Sequence, residues 1–215
     1  MVSLLSGVFL GWSLGANDAS NVFGSAVSAR MLRFWTAALL ASGFVILGSL
    51  LEGQAGIETL QNITPMGLKE AAVSSLAAAA TVTLMTFARL PVSTSQAVVG
   101  AILGIAVLNR ELNAPNLSKI VACWIGTPIG GMLIAMVLYR LSALVYNNLS
   151  MNLFQSDSLL RLSLIAAGSY GAYALGANNV ANVTAVFVAA DQLTVFSAVL
   201  VGGLSIALGI MTFSR

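Results

Sequence analysis

Apolar positions along this chain come in long blocks rather than in alternation with polar ones. The blocks cover roughly residues 2–29, 34–51, 71–89, 92–108, 119–146, 160–190 and 194–213. A helix needs about 20 apolar residues to cross a hydrocarbon core, whereas barrel strands show short alternating segments. The pattern therefore predicts an all-α polytopic membrane protein of seven helical blocks. The first and sixth blocks each contain a Gly-Ala-Asn run, expected to interrupt the helix. "RLPVSTSQ", Arg89 to Gln96, separates the third block from the fourth, and Pro91 within it disfavours helix at Leu90. The short, abutting blocks on either side predict a Pro-broken helical hairpin over 71–108, whose tip reaches into a cavity. The stretch 52–70, "EGQAGIETLQNITPMGLKE", is rich in Gly, Asn, Thr and Pro and reads as a loop at one membrane face.

The two Gly-Ala-Asn runs are related. "SLGANDASNV" (13–22) and "ALGANNVANV" (174–183) match at an offset of 161, and the register continues ungapped from "FWTAALLASGFVILG" (34–48) into "VFSAVLVGGLSIALG" (195–209). Between the runs, blocks one, two and five cross the membrane, and blocks three and four add two crossings or none. The count is odd in both cases. The second copy then enters with reversed polarity, the inverted-topology repeat of secondary transporters, whose site lies at the repeat interface. Residues 1–150 form the first repeat, and residues 160–215 begin a second, incomplete one.

Composition supports the membrane reading: 58% of residues are hydrophobic and 7% charged, against about 25% charged in soluble domains. Mean hydropathy is +0.94. The expected location is the cell membrane, multi-pass, with the lipid bilayer as solvent. Nine basic residues are scattered singly, so no nucleic-acid partner is expected. Cys123 is the single cysteine and there is no histidine, which excludes an intrachain disulfide, thiolate metal clusters and His-based catalysis. Without a P-loop, triad or paired-carboxylate signature, neither an enzyme nor a cofactor is expected. The first charge is Asp18, too late for a signal peptide's basic start, so the N-terminal segment is expected to remain in the mature protein. Arg30 and Arg33 place the first loop in the cytoplasm and the N-terminus outside.

Asp18 opens the chemistry, because a carboxylate in a spanning helix costs about 2.5–3.5 kcal/mol even on the mild insertion scale. Either Asp18 sits at a membrane face, or something compensates it. Asn17, Asp18, Ser20 and Asn21 crowd oxygen ligands into little more than a turn, which suits a hard cation such as Na+ at Asp18 and Asn21 beside unwound carbonyls. Ser93, Thr94 and Ser95 fall at the cap and first turn of the helix after the break, where free amides and the positive dipole end favour an anion. An ordinary Ser/Thr cap would have the same composition. In the second run Asn179 replaces the aspartate; it can ligate but carries no charge, and interhelical amide bonding is the alternative. "GTPIGG" (126–131) reads as close packing with a proline kink, and Trp12, Trp35 and Trp124 as interfacial or packing residues.

"GANDASN" (15–21), "PVSTSQ" (91–96), "WIGTPIGG" (124–131) and "GANNVAN" (176–182), in that order, resemble the inorganic phosphate transporter family of cation-coupled symporters, which includes a sulfate permease branch. The resemblance extends over essentially the whole chain. It implies a duplicated inverted fold with phosphate held between hairpin tips and the Gly-Ala-Asn helices, and Na+ or H+ as coupling ion. Carried onto this sequence, it implies an anion cradled by Ser93, Thr94 and Ser95. Asn17, Asp18 and Asn21 contribute to the substrate and cation sites, and Asn178, Asn179 and Asn182 do so from the second copy.

Gln96 stands where the family commonly has histidine, and Asn179 where it commonly has aspartate, which leaves a different stoichiometry or anion open, sulfate included. A mate of "PVSTSQ" would be expected 161 residues on, past Arg215. Two expectations stay open: the chain is a truncated form of a longer transporter, or a homo-oligomer or second chain completes the fold. The rival from another class is a non-transporting membrane subunit that uses its asparagines only as helix glue.

Overall fold

A computed structural model of the chain describes residues 2–60, 66–88, 90, 92–110 and 114–213. Among the described residues are seven α-helices and no strand: α1 (Val2–Ser28), α2 (Phe34–Leu60), α3 (Leu68–Phe87), α4 (Thr94–Asn109), α5 (Ala114–Asn148), α6 (Leu153–Ala189) and α7 (Val195–Phe213). The seven blocks and seven helices correspond one to one, with three corrections at finer scale.

First, α2 continues nine residues past Leu51 to Leu60, through much of the expected loop. Gly53 and Gly56 explain this, because both press on α6: a Cβ at Gly56 would lie 3.0 Å from that of Ala181. Tertiary packing there overrides the weak helix propensity of glycine. Second, α6 starts at Leu153, where Asn152 caps it by accepting from the Gln155 amide at 2.9 Å and the Gln155 side chain accepts from the Asn152 amide at 3.1 Å.

Third, α1 and α6 run unbroken through their Gly-Ala-Asn segments, so the expected interruptions are absent. The glycines there serve close crossing. A Cβ on Gly15 would fall inside the contact shell of the Ile206 carbonyl, and one on Gly176 inside that of the Val45 carbonyl. Gly48 stands in the same relation to Tyr173, and Gly209 to Trp12. These contacts are mates at the offset of 161 with the roles of the segments exchanged: α1 crosses α7 as α6 crosses α2.

The interior is built from small residues. Ala19, Ala26, Ala37, Ala38, Ala41 and Ala172 make up half of one buried cluster, while Leu39, Leu47, Leu51, Leu84 and Ile125 are exposed. That inversion suits a protein whose solvent is lipid, where helices associate by close backbone approach rather than hydrophobic burial. Among the described residues, α2, α3, residues 117–148 of α5 and residues 195–212 of α7 are long and apolar enough to cross a membrane. The polar runs of α1 and α6 dilute their hydropathy. α4, at 16 residues, reaches about 24 Å at a 1.5 Å rise, short of a ~30 Å core. α5 carries Pro128 within its length and touches the other helices at only a few points.

Candidate functional site

α3 and α4 pack as an antiparallel hairpin against α1 and α6. Its base is closed by Glu70, which accepts from the Gly67 amide at 2.7 Å and from Asn109 Nδ2 at 2.8 Å. Arg110 ends α4 in a left-handed conformation, φ 57°. Pro91 and Arg89, expected at the tip, lie outside the described residues; the helix break between Phe87 and Thr94 is observed.

From the tip, Ser93 caps α4, exposed, its hydroxyl accepting from the Gln96 amide at 3.3 Å. Thr94 follows, 3% exposed, and its Oγ1 has no hydrogen-bond partner. It lies close enough to the Asp18 carboxylate to interact electrostatically without completing a bond of normal geometry. Ser95 Oγ accepts from Asn182 Nδ2 at 2.9 Å, and the same amide donates to Asn179 Oδ1 at 2.8 Å. The amides of the first turn have no intrahelical acceptor, so the positive end of α4 faces this group. The fold thus brings Asp18 of α1, Thr94 and Ser95 of the hairpin, and Asn179 and Asn182 of α6 into one polar cluster inside an apolar bundle.

The remaining candidates lie apart from it. Asn17 donates to Thr86 Oγ1 at 2.8 Å, tying α1 to α3. Asn21 is exposed and makes no side-chain hydrogen bond among the described residues. Asn178 is exposed, facing an open crevice of about 490 Å³ between α2 and α6 that Glu52, Gln54 and Glu58 also line. Sequence reasoning missed Ser13, Thr83 and Thr86. Ser13 and Thr83 share a hydrogen bond of 2.7 Å, one turn from the Asn17–Thr86 bond, and together they dock the hairpin. The signal was the i, i+3 spacing of hydroxyls in "TVTLMTF" (81–87), which puts Thr83 and Thr86 on one face.

Among the described residues no group of three or more His, Cys, Asp or Glu could hold a metal ion, and no basic side chain pairs with Asp18. The cluster offers one carboxylate among amides and hydroxyls. Such a set suits a monovalent cation or a proton beside an anion rather than a transition metal.

Fold and site together define a multi-pass, all-helical membrane protein with a polar site where a short hairpin meets two polar-run helices. The phosphate transporter family model matches residues 14–215, and the chain belongs to that family, one of transporters rather than enzymes. It is 28% identical to the sulfate permease CysP of Bacillus subtilis, over all of this chain and 62% of that one. It is 30% identical to the chloroplastic inorganic phosphate transporter 2-1 of Arabidopsis thaliana, over 64% of this chain and 26% of the relative. The chain thus spans less than two thirds of either relative. A solved structure, the sodium-dependent phosphate transporter, superposes with a TM-score of 0.78 at 23% identity, covering 99% of this chain and 75% of the other, a likeness of fold.

Proposed function

We propose that the chain carries inorganic phosphate across the membrane together with a cation, Na+, by alternating access of two inverted segments. The observation that supports this reading most is the buried, unpartnered hydroxyl of Thr94 at the N-terminus of α4, beside Asp18. A buried hydroxyl without a partner costs about 1–3 kcal/mol, and a ligand that supplies the partner recovers it. Helix glue accounts for the bonds of Asn17 and Asn182, but not for an unsatisfied hydroxyl or an unpaired carboxylate. The anion sits at the α4 terminus, held by Thr94 and by Ser95, whose hydroxyl accepts from Asn182 and so keeps its own proton to donate. The cation neutralises Asp18 and so favours anion entry.

Sulfate is the second reading, favoured by the alignment of the Bacillus subtilis sulfate permease with the whole of this chain. Labelled phosphate and sulfate uptake into proteoliposomes, with sodium and pH gradients imposed separately, distinguishes anion and coupling ion. Asp18→Asn and Ser95→Ala are expected to abolish uptake while the protein remains folded. Unchanged uptake in both variants sinks the site assignment.

The two-fold contact pattern supports a partner as well. Asn17 is bonded to the hairpin, whereas its mate Asn178 faces the open crevice, so a second polypeptide with a hairpin of the α3–α4 kind fits against α6. A monomer that transports at the full rate in native-mass and uptake measurements would refute that partnership.

A further inference from the structure

The helix pairs α1–α2 and α6–α7 are mates at the offset of 161, yet they differ in a feature the transport site does not use. Between the C-terminal half of α1 and the N-terminal half of α2 runs an apolar groove of about 230 Å³, lined by Ala19, Phe23, Gly24, Val27 and Ala38 and floored by Ile210. The mates of Ala19, Gly24 and Ala38 are Val180, Ala185 and Val199, each one or two methyl-sized groups larger. Ala19 and Ala38 are buried like their mates, so the contrast is one of side-chain size, with Ala41 and Phe34 running the other way against Gly202 and Val195. A Cβ on Gly24, by contrast, would meet only Ser20 Cβ, at 3.9 Å. Phe23 is larger than its mate Thr184, but its ring packs on Gly168 of α6.

The turns differ in the same direction. Arg30 and Asp191 are mates, and both adopt left-handed backbone, φ 57° and 55°. Arg33 is the mate of Thr194. The first turn therefore carries two cations where the second has an acid and a hydroxyl. Both arginines are exposed, and neither forms an ion pair among the described residues. Ser28 and Phe34, which border the groove, flank this turn, so the charges stand at the groove's end. Trp35, next in sequence, is 52% exposed, and tryptophans are enriched at headgroup level. At 100° per residue Val27 stands about 180° around α1 from Asp18, which puts the groove on the helix face opposite the transport site.

We propose that this groove holds an acyl chain of an anionic phospholipid of the cytoplasmic leaflet, with its phosphate bound by Arg30 and Arg33. The apolar lining matches hydrocarbon, and basic pockets between helices on the cytoplasmic side suit anionic head groups. The second copy, with Asp191 and Thr194 in place of the two arginines, lacks the charge for such a site.

Native mass spectrometry of the purified chain, titrated with phosphatidylglycerol and phosphatidylcholine of identical acyl chains, tests this directly. Phosphatidylglycerol is expected to bind on the order of 25-fold tighter, about five-fold per arginine. Arg30→Asn with Arg33→Gln should erase that preference, and asparagine tolerates the left-handed backbone at position 30. Gly24→Val, which projects into the open groove, should lower retention of both lipids with little change in the circular dichroism melt. Equal retention of the two lipids by the parent protein would overturn the proposal. So would lipid retention unaffected by the filled groove, or a protein segment captured by a cross-linker at Ser20→Cys in place of lipid.

Discussion

Gly48→Ala tests the crossing of α2 and α6. A Cβ at position 48 would lie 2.8 Å from the Tyr173 carbonyl carbon and 3.1 Å from the Ala177 nitrogen, with the carbonyl oxygen nearer still. Non-bonded carbons prefer about 3.5–4.0 Å, so the two helices must part by roughly 1 Å. No flexible side chain can yield, because every obstructing atom is backbone. Parting of that size forfeits a quarter to a half of each dispersion contact along the interface, and it lengthens the Ser49 bond to the Gly176 carbonyl, already 3.2 Å. Overpacking in general costs about 1–3 kcal/mol, and this site belongs at the upper end, about 3 kcal/mol.

Gly43, five residues earlier on the same helix, is exposed with nothing within 4 Å of its Cβ position. Gly43→Ala should instead stabilise by about 0.5–1 kcal/mol through backbone entropy. Equilibrium unfolding in mixed micelles, followed by tryptophan fluorescence, reads both. Gly209→Ala, the two-fold mate, should match Gly48→Ala, since its Cβ would lie 2.9 Å from the Trp12 carbonyl carbon and from the Ala16 nitrogen. A tolerated Gly48→Ala refutes the packing argument. A tolerated Gly209→Ala beside a damaging Gly48→Ala refutes the two-fold equivalence.

Thr94→Val should leave stability within about 1 kcal/mol, because the relief of a poorly satisfied buried hydroxyl is offset by the lost interaction with Asp18, while anion uptake falls; loss of both stability and uptake would assign Thr94 to the fold alone. Thr86→Val should cost about 1–3 kcal/mol, because it strands the half-buried amide of Asn17, and a double-mutant cycle with Asn17→Ala should show the two effects to be coupled. Glu70→Ala removes the acceptor for both Gly67 and Asn109, so hydrogen exchange at the hairpin base should quicken with α1 and α7 unaffected.

The sequence by itself determined the class, the helix count and the repeat. Blocks of apolar residues are a local property, and an offset of 161 is legible wherever two copies survive in one chain. It also singled out Asp18, Thr94 and Asn182 by type, because polar groups in apolar helices need compensation. Only the tertiary structure decided which of them meet. Asn17 and Asn178 occupy equivalent positions in the two runs, yet the first bonds Thr86 behind the hairpin tip and the second faces an open crevice, while Asn182 bonds Ser95 at the tip. The unbroken paths of α1 and α6 were equally hidden. A glycine that breaks a helix and a glycine that lets another backbone cross it read the same in sequence, and the difference lies in whether a carbonyl such as that of Ile206 or Val45 comes close.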